Sequence, residues 1–166
     1  MERRPHSSCD GFTLLETVVA TGVLVTALAG IAQLFALSVR STRAAGSQGA
    51  ALVAAQDKIE RLRSLAFGYS PFGQPMTDPG LTSAAAQSLD QDTAGLVDFV
   101  NAEGAVVDVA DAAHGAAFTR RWRVTPIDQF VPEALVVEVC VFRWPADGLT
   151  PVTAEACLAT VRARQP

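Results

Sequence analysis

Cysteine is scarce in this sequence: Cys9, Cys140 and Cys157 are the only three in 166 residues. That excludes a disulfide scaffold, and the lack of any CxxC pair excludes a zinc ribbon or dithiol redox motif. Histidine is scarcer, with two residues. His114 stands alone in an Ala/Gly-rich loop, without the spacing of a metal site. Asp90, Asp92 and Asp98 lack the glycine and terminal glutamate of a hand-type calcium loop and are expected as surface carboxylates. No glycine-rich phosphate loop, nucleophile elbow or zinc-hydrolase helix motif occurs. No catalytic residue is assigned, no cofactor or metal is expected, and the function is expected to be non-enzymatic.

Positive charge is also short. The formal net charge of −4 lacks the basic field of a general nucleic-acid binder. Above all, no charged residue falls between Glu16 and Arg40. The run from Thr17 to Val39, about 23 residues rich in Val, Leu and Ala, would rise roughly 35 Å as a helix. A hydrocarbon core of about 30 Å would be crossed. Gly22 and Gly30 weaken a water-soluble helix but suit a membrane helix, where they let backbones approach. A buried core helix fits less well, because the run has no polar face. A secretory signal peptide also fits poorly: Arg3 and Arg4 give a basic start, but the run is too long and no A-x-A site ends it. Arg40 and Arg43 flank the other side, so the positive-inside rule does not decide the topology. Glu16, near the start of this run, is costly in lipid unless it has a partner or stays at the interface.

The stretch Gly11-Phe12-Thr13-Leu14-Leu15-Glu16, followed by the apolar run, resembles the processing signature of type IV pilins and type II secretion pseudopilins. The resemblance implies that residues 1–11 are a leader, removed by prepilin peptidase between Gly11 and Phe12, with methylation of the new Phe12 amine. It implies an assembly role for Glu16 in residues 12–39, a transmembrane and assembly helix. Implied partners are the peptidase, other pilin or pseudopilin subunits, an inner-membrane assembly platform and the membrane itself. The protein would pass once through the inner membrane, leader in the cytoplasm and C-terminal domain outside, before joining an envelope or surface filament. Cys9 would leave with the leader. Unlike many major pilins, the chain carries no helix-breaking proline in the apolar segment.

Beyond Arg43 the pattern becomes amphipathic. Leu52, Ala55, Ile59, Leu62 and Ala66 recur at helical spacing, and no proline occurs between residues 12 and 70. Residues 40–67 therefore continue the helix, with Gly68 as its C-cap, to a total length of roughly 80 Å. Two glycines within Ala45–Gly49 predict a bend or a stretch able to unwind.

Residues 68–166 form a β-rich domain. Tyr69–Gly95, rich in Pro, Gly, Ser and Thr, reads as an irregular surface loop. Leu96–Val100 and Ala105–Val109 read as a hairpin around Asn101–Gly104; Phe118–Val124, Leu135–Trp144 and Ala154–Arg162 read as strands. A hairpin centred between Gly148 and Leu149 sets Cys140 opposite Cys157, where a disulfide can close; two reduced, buried cysteines are the alternative. The fold class is α+β: a long N-terminal helix packed on a small antiparallel sheet, which is also what the resemblance implies. The Lys58–Arg63 helix end and the Phe118 and Leu135 strands are similar to minor pilins and minor pseudopilins.

Arg120, Arg121, Trp122 and Arg123 form the one basic-aromatic cluster, with Arg121 and Arg123 on a shared face. A DNA or surface ligand there would make the chain a membrane-anchored filament-tip binding module. The plainer account, which we favour, is a solvated edge strand whose arginines resist aggregation.

Overall fold

The computed structural model describes residues 12–82, 88–108, 112–127, 133–144 and 153–165, with only the backbone of Ala113 and His114. The leader with Gly11 and Cys9, part of the Tyr69–Gly95 stretch and the Pro145–Pro151 turn lie outside the described residues.

Helix α1 spans Leu14–Ser64. Its first part belongs to one compact unit, residues 1–44, and the rest to a second, residues 45–166. Thr13 starts it: its carbonyl accepts the N–H of Thr17 at 3.2 Å and its hydroxyl accepts the N–H of Glu16 at 3.3 Å. This is half of a capping box, with Glu16 three residues after a threonine cap. α1 remains helical through Ala45–Gly49 despite its two glycines.

The second unit holds two sheets. Strands β1 (Phe67–Tyr69) and β2 (Pro75–Thr77) make a short hairpin. Strands β3 (Val97–Val100), β4 (Val106–Val107), β5 (Phe118–Pro126), β6 (Ala134–Arg143) and β7 (Ala156–Ala163) form an antiparallel sheet in the order β4-β3-β5-β6-β7. The long helix with an antiparallel sheet is the α+β arrangement expected. Asn101 closes the β3–β4 turn: its side-chain oxygen accepts from the N–H groups of Glu103 and Ala105. Gly104, at φ +89°, supplies the left-handed residue this turn needs.

Alternation along the strands directs one sheet face to α1. Leu135, Val137, Val139 and Val141 of β6 join Phe118, Trp122 and Val124 of β5 in one core with Ala51, Ala54, Ala55, Ile59 and Leu62 of α1. Each large apolar side chain buried this way contributes about 1.5–3 kcal/mol. The expected stripe holds at Ala55, Ile59 and Leu62, while at its start Ala51 and Ala54 are buried in place of Leu52, and Ala66, beyond the helix, is exposed.

Three further expectations are corrected. Gly68 is not a helix C-cap, and the helix does not reach Phe67; both lie in β1. Gly68 instead bridges Gln165, and a Cβ there would lie 3.0 Å from the Gln165 carbonyl oxygen. The Tyr69–Gly95 stretch is not wholly irregular. It carries β2 and a 3-10 turn, Pro79–Leu81, capped by Asp78, whose side chain accepts the Gly80 N–H. Leu81 joins the core at 1% exposure. Such elements of three residues are too short to show a period. Lastly, His114 lies in a one-turn helix, α2 (Ala112–Gly115), rather than in a loop.

Cys140 and Cys157 are directly paired across β6 and β7, with Cα atoms 4.2 Å apart and a closed disulfide. The hairpin register expected from the sequence is the one observed. The crosslink spans a separation of 17 residues, for which chain entropy gives a contribution of about 3 kcal/mol. Chemical unfolding of the Cys140→Ser, Cys157→Ser double variant is expected to show a loss of about that size. A loss under about 1 kcal/mol would mean that β7 holds its place without the bond.

Candidate functional site

Among its described residues the first unit offers an apolar surface with one acid, Glu16. α1 contains a stretch long and apolar enough to cross a membrane, with a mean hydropathy of 2.1. Phe12, Leu14, Leu15, Val18 and Phe35 are all exposed, Leu14 at 82%. Its threonines do not leave polar groups outward. Thr17 donates to the Leu14 carbonyl at 2.9 Å, Thr21 to that of Thr17 at 2.7 Å, and Thr26 to that of Val23 at 2.9 Å. Hydroxyls satisfied within the helix are compatible with lipid or with another helix. Glu16 sits in the first turn, where the helix dipole favours a carboxylate. Thr13, missed in the sequence, is what fixes that turn; the Thr-x-x-Glu spacing is its signal.

The second unit buries an ionic cluster between α1 and the sheet. Arg120, 0% exposed, points to the helix side of β5. Its Nε donates to Asp98 Oδ1 at 2.7 Å and its Nη2 to Asp98 Oδ2 at 2.9 Å, a bidentate pair. Its Nη1 donates to the Ala54 carbonyl at 2.7 Å and to Asp57 Oδ2 at 3.1 Å. Lys58 donates to Asp98 Oδ2 at 3.1 Å and lies 3.3 Å from the centre of the Trp122 ring. Two cations thus meet two carboxylates. Burial drives the Lys58 pKa below its ordinary value, and Asp98 only partly opposes it. Burial also acts against the Arg120 charge, but the bonds to Asp98 and Asp57 outweigh it and raise the pKa. For Asp57, desolvation raises the pKa, yet the Arg120 and Arg61 bonds leave it lowered. Its pairing stabilises the fold above the ordinary carboxylate range and is lost as pH falls through the lowered value.

Asp98, its side chain 15% exposed, is therefore not a surface carboxylate; Asp90 and Asp92 are exposed as expected, although Asp92 pairs with Arg121. The signal overlooked was Lys58 itself, four residues after Ala54 and four before Leu62, a charge set on an apolar stripe.

The arginine strand is also corrected. β5 is the middle strand of five, not an edge. Arg121, on the opposite face from Arg120, is 1% exposed. Its Nε donates to Asp92 Oδ1 at 2.7 Å, its Nη1 to the carbonyls of Leu89 and Asp90, and its guanidinium lies over Phe142. Arg123 shares that face and pairs with Glu138. Carboxylates supplied by distant segments neutralise this strand, so Arg121 is held rather than offered to a ligand. Arg162 of β7 closes the end of α1 by donating to the carbonyls of Leu62 and Leu65, a cation at the negative pole of a helix.

No family model, curated protein or solved structure matches this chain.

Proposed function

We propose that the chain is a minor pilin or minor pseudopilin. It is cleaved after Gly11 by prepilin peptidase, methylated at Phe12 and assembled into a type IV pilus-like or type II secretion filament. One observation carries this reading: Glu16 stands alone at the head of the exposed, uncharged run Thr17–Val39 of α1, five residues after Gly11. A carboxylate so placed needs a cation to enter an apolar assembly. Cleavage after Gly11 creates one at Phe12 of every copy. The β-rich second unit, closed by a disulfide, suits an oxidising compartment outside the cytoplasm. The protein is then a single-pass inner-membrane subunit until the assembly platform draws it into the filament. It performs no chemistry of its own.

Mass spectrometry of the mature N-terminus tests the premise. In cells with active prepilin peptidase the first residue is expected to be Phe12, heavier by one methyl group. An intact leader in those cells, with the protein otherwise folded and in the membrane, would sink the proposal.

A further inference from the structure

We propose that Gln33 joins two copies of this chain inside the membrane through a reciprocal amide pair. The inference rests on the membrane-anchored reading above, but not on Glu16 or on leader cleavage.

Between Phe12 and Val39 the polar side chains are few. The hydroxyls of Thr13, Thr17, Thr21 and Thr26 are engaged within α1. Glu16 and Ser38 lie near the two ends of the uncharged run. Gln33 is left, its side chain exposed and in no hydrogen bond among the described residues, about 9 Å inside the end at Val39. A primary amide has two donors and an oxygen acceptor. In hydrocarbon these groups have no water, and its two-methylene stem is too short to carry them out.

N-terminal to Gln33 the helix is shaped for close approach. At 100° per residue Gly22, Thr26, Ala29 and Gly30 share its side, with Ala36 and the larger Leu37 beyond it, while Leu24, Leu28, Ile31 and Phe35 lie opposite. A Cβ on Gly30 would meet nothing within 4 Å. Small residues let two backbones draw near, and one polar group between them then fixes the pairing. A second copy is the occupant the chemistry favours. The amide is complementary to itself, and two copies inserted with one topology carry it at one depth. A different helix would have to bring its own polar group to that level.

The test uses two populations of the full chain, with donor and acceptor fluorophores at the C-terminus, co-reconstituted in phosphatidylcholine vesicles over a range of protein-to-lipid ratios. The parent is expected to show energy transfer. Gln33→Leu is expected to need about threefold to thirtyfold more protein for the same transfer. Gln33→Asn, which keeps the amide, should retain most of the pairing, and Phe35→Leu on the opposite side should match the parent. Equal transfer in Gln33→Leu overturns the inference. So does a parent without transfer, which would assign Gln33 to a different helix. A chain stripped from vesicles by alkaline carbonate overturns the anchoring reading too; one that stays but ignores Gln33 overturns the pairing alone.

Discussion

Asp98→Ala is expected to destabilise the second unit by about 3–5 kcal/mol, the range for removing one partner of a buried ion pair. Asp98 holds Arg120 through two bonds and Lys58 through a third. Without it, Lys58 loses its carboxylate, and Arg120 keeps the Ala54 carbonyl and, as its one carboxylate, Asp57, whose side chain is 41% exposed. The replacement leaves a buried guanidinium and a partly buried ammonium where there was a balanced cluster. The pH dependence identifies the cause. The Lys58 pKa is already lowered in the folded state, and losing Asp98 lowers it further. A group with a depressed folded pKa disfavours folding below that pKa, and the penalty fades as pH rises toward the unfolded value near 10.5. The deficit of the variant should therefore be largest near neutrality and shrink under alkaline conditions. Urea unfolding of the full chain in detergent, followed by tryptophan emission at both pH values, reads this directly. Lys58→Met is the control, with a smaller loss expected because Arg120 still holds Asp98. If Asp98→Ala loses less than about 1 kcal/mol, or Lys58→Met proves the worse variant, the cluster is not balanced as described.

Glu16→Ala is expected to reduce entry into filaments at least tenfold while leaving the level of membrane-inserted protein unchanged. In the proposed filament, at about 4 Å and an effective dielectric near 20, the Glu16 carboxylate and a neighbour's Phe12 amine would attract by on the order of 4 kcal/mol. Desolvation offsets much of that, so the pair sets axial register more than it adds net stability. Its loss is nonetheless severe, because the amine remains buried and uncompensated. Tenfold corresponds to about 1.4 kcal/mol, well within that penalty. Glu16 is also the third residue of a threonine-capped turn, so Thr13→Val separates the roles: it removes the cap hydroxyl but keeps the charge. Quantitative immunodetection of sheared filaments against whole-cell protein is the measurement. Parent-like entry by Glu16→Ala would remove the electrostatic docking account; a defect equal in Thr13→Val would assign it to the helix end.

The residues that were legible in the sequence share one property: their pattern is local or symmetric. Thr17–Val39 announces itself because the lack of charge is a property of the run alone. Cys140 and Cys157 could be matched because a tight hairpin maps sequence distance onto register one residue at a time. Leu135–Trp144 shows its alternation over enough residues to be read. The three-residue strands β1 and β2 have no such length. Lys58 looks in the sequence like one of several charges at a helix end, although its place between Ala54 and Leu62 sets it on the buried stripe.

Arg120 and Arg121 mark the boundary most clearly. Chain order alone determined that they sit on opposite faces of a strand, since side chains alternate with period two. It also determined the long uncharged run, the acid at its head and the antiparallel hairpin that closes on the disulfide. Whether those arginines would meet solvent, a ligand or carboxylates depended on where β5 lies among five strands. It depended equally on which distant segments lie across the two faces: Asp98 and α1 on one, residues 89–92 on the other. A charge is a property of a residue, but its neutralisation is a property of its neighbours, and only the tertiary structure brings those neighbours together.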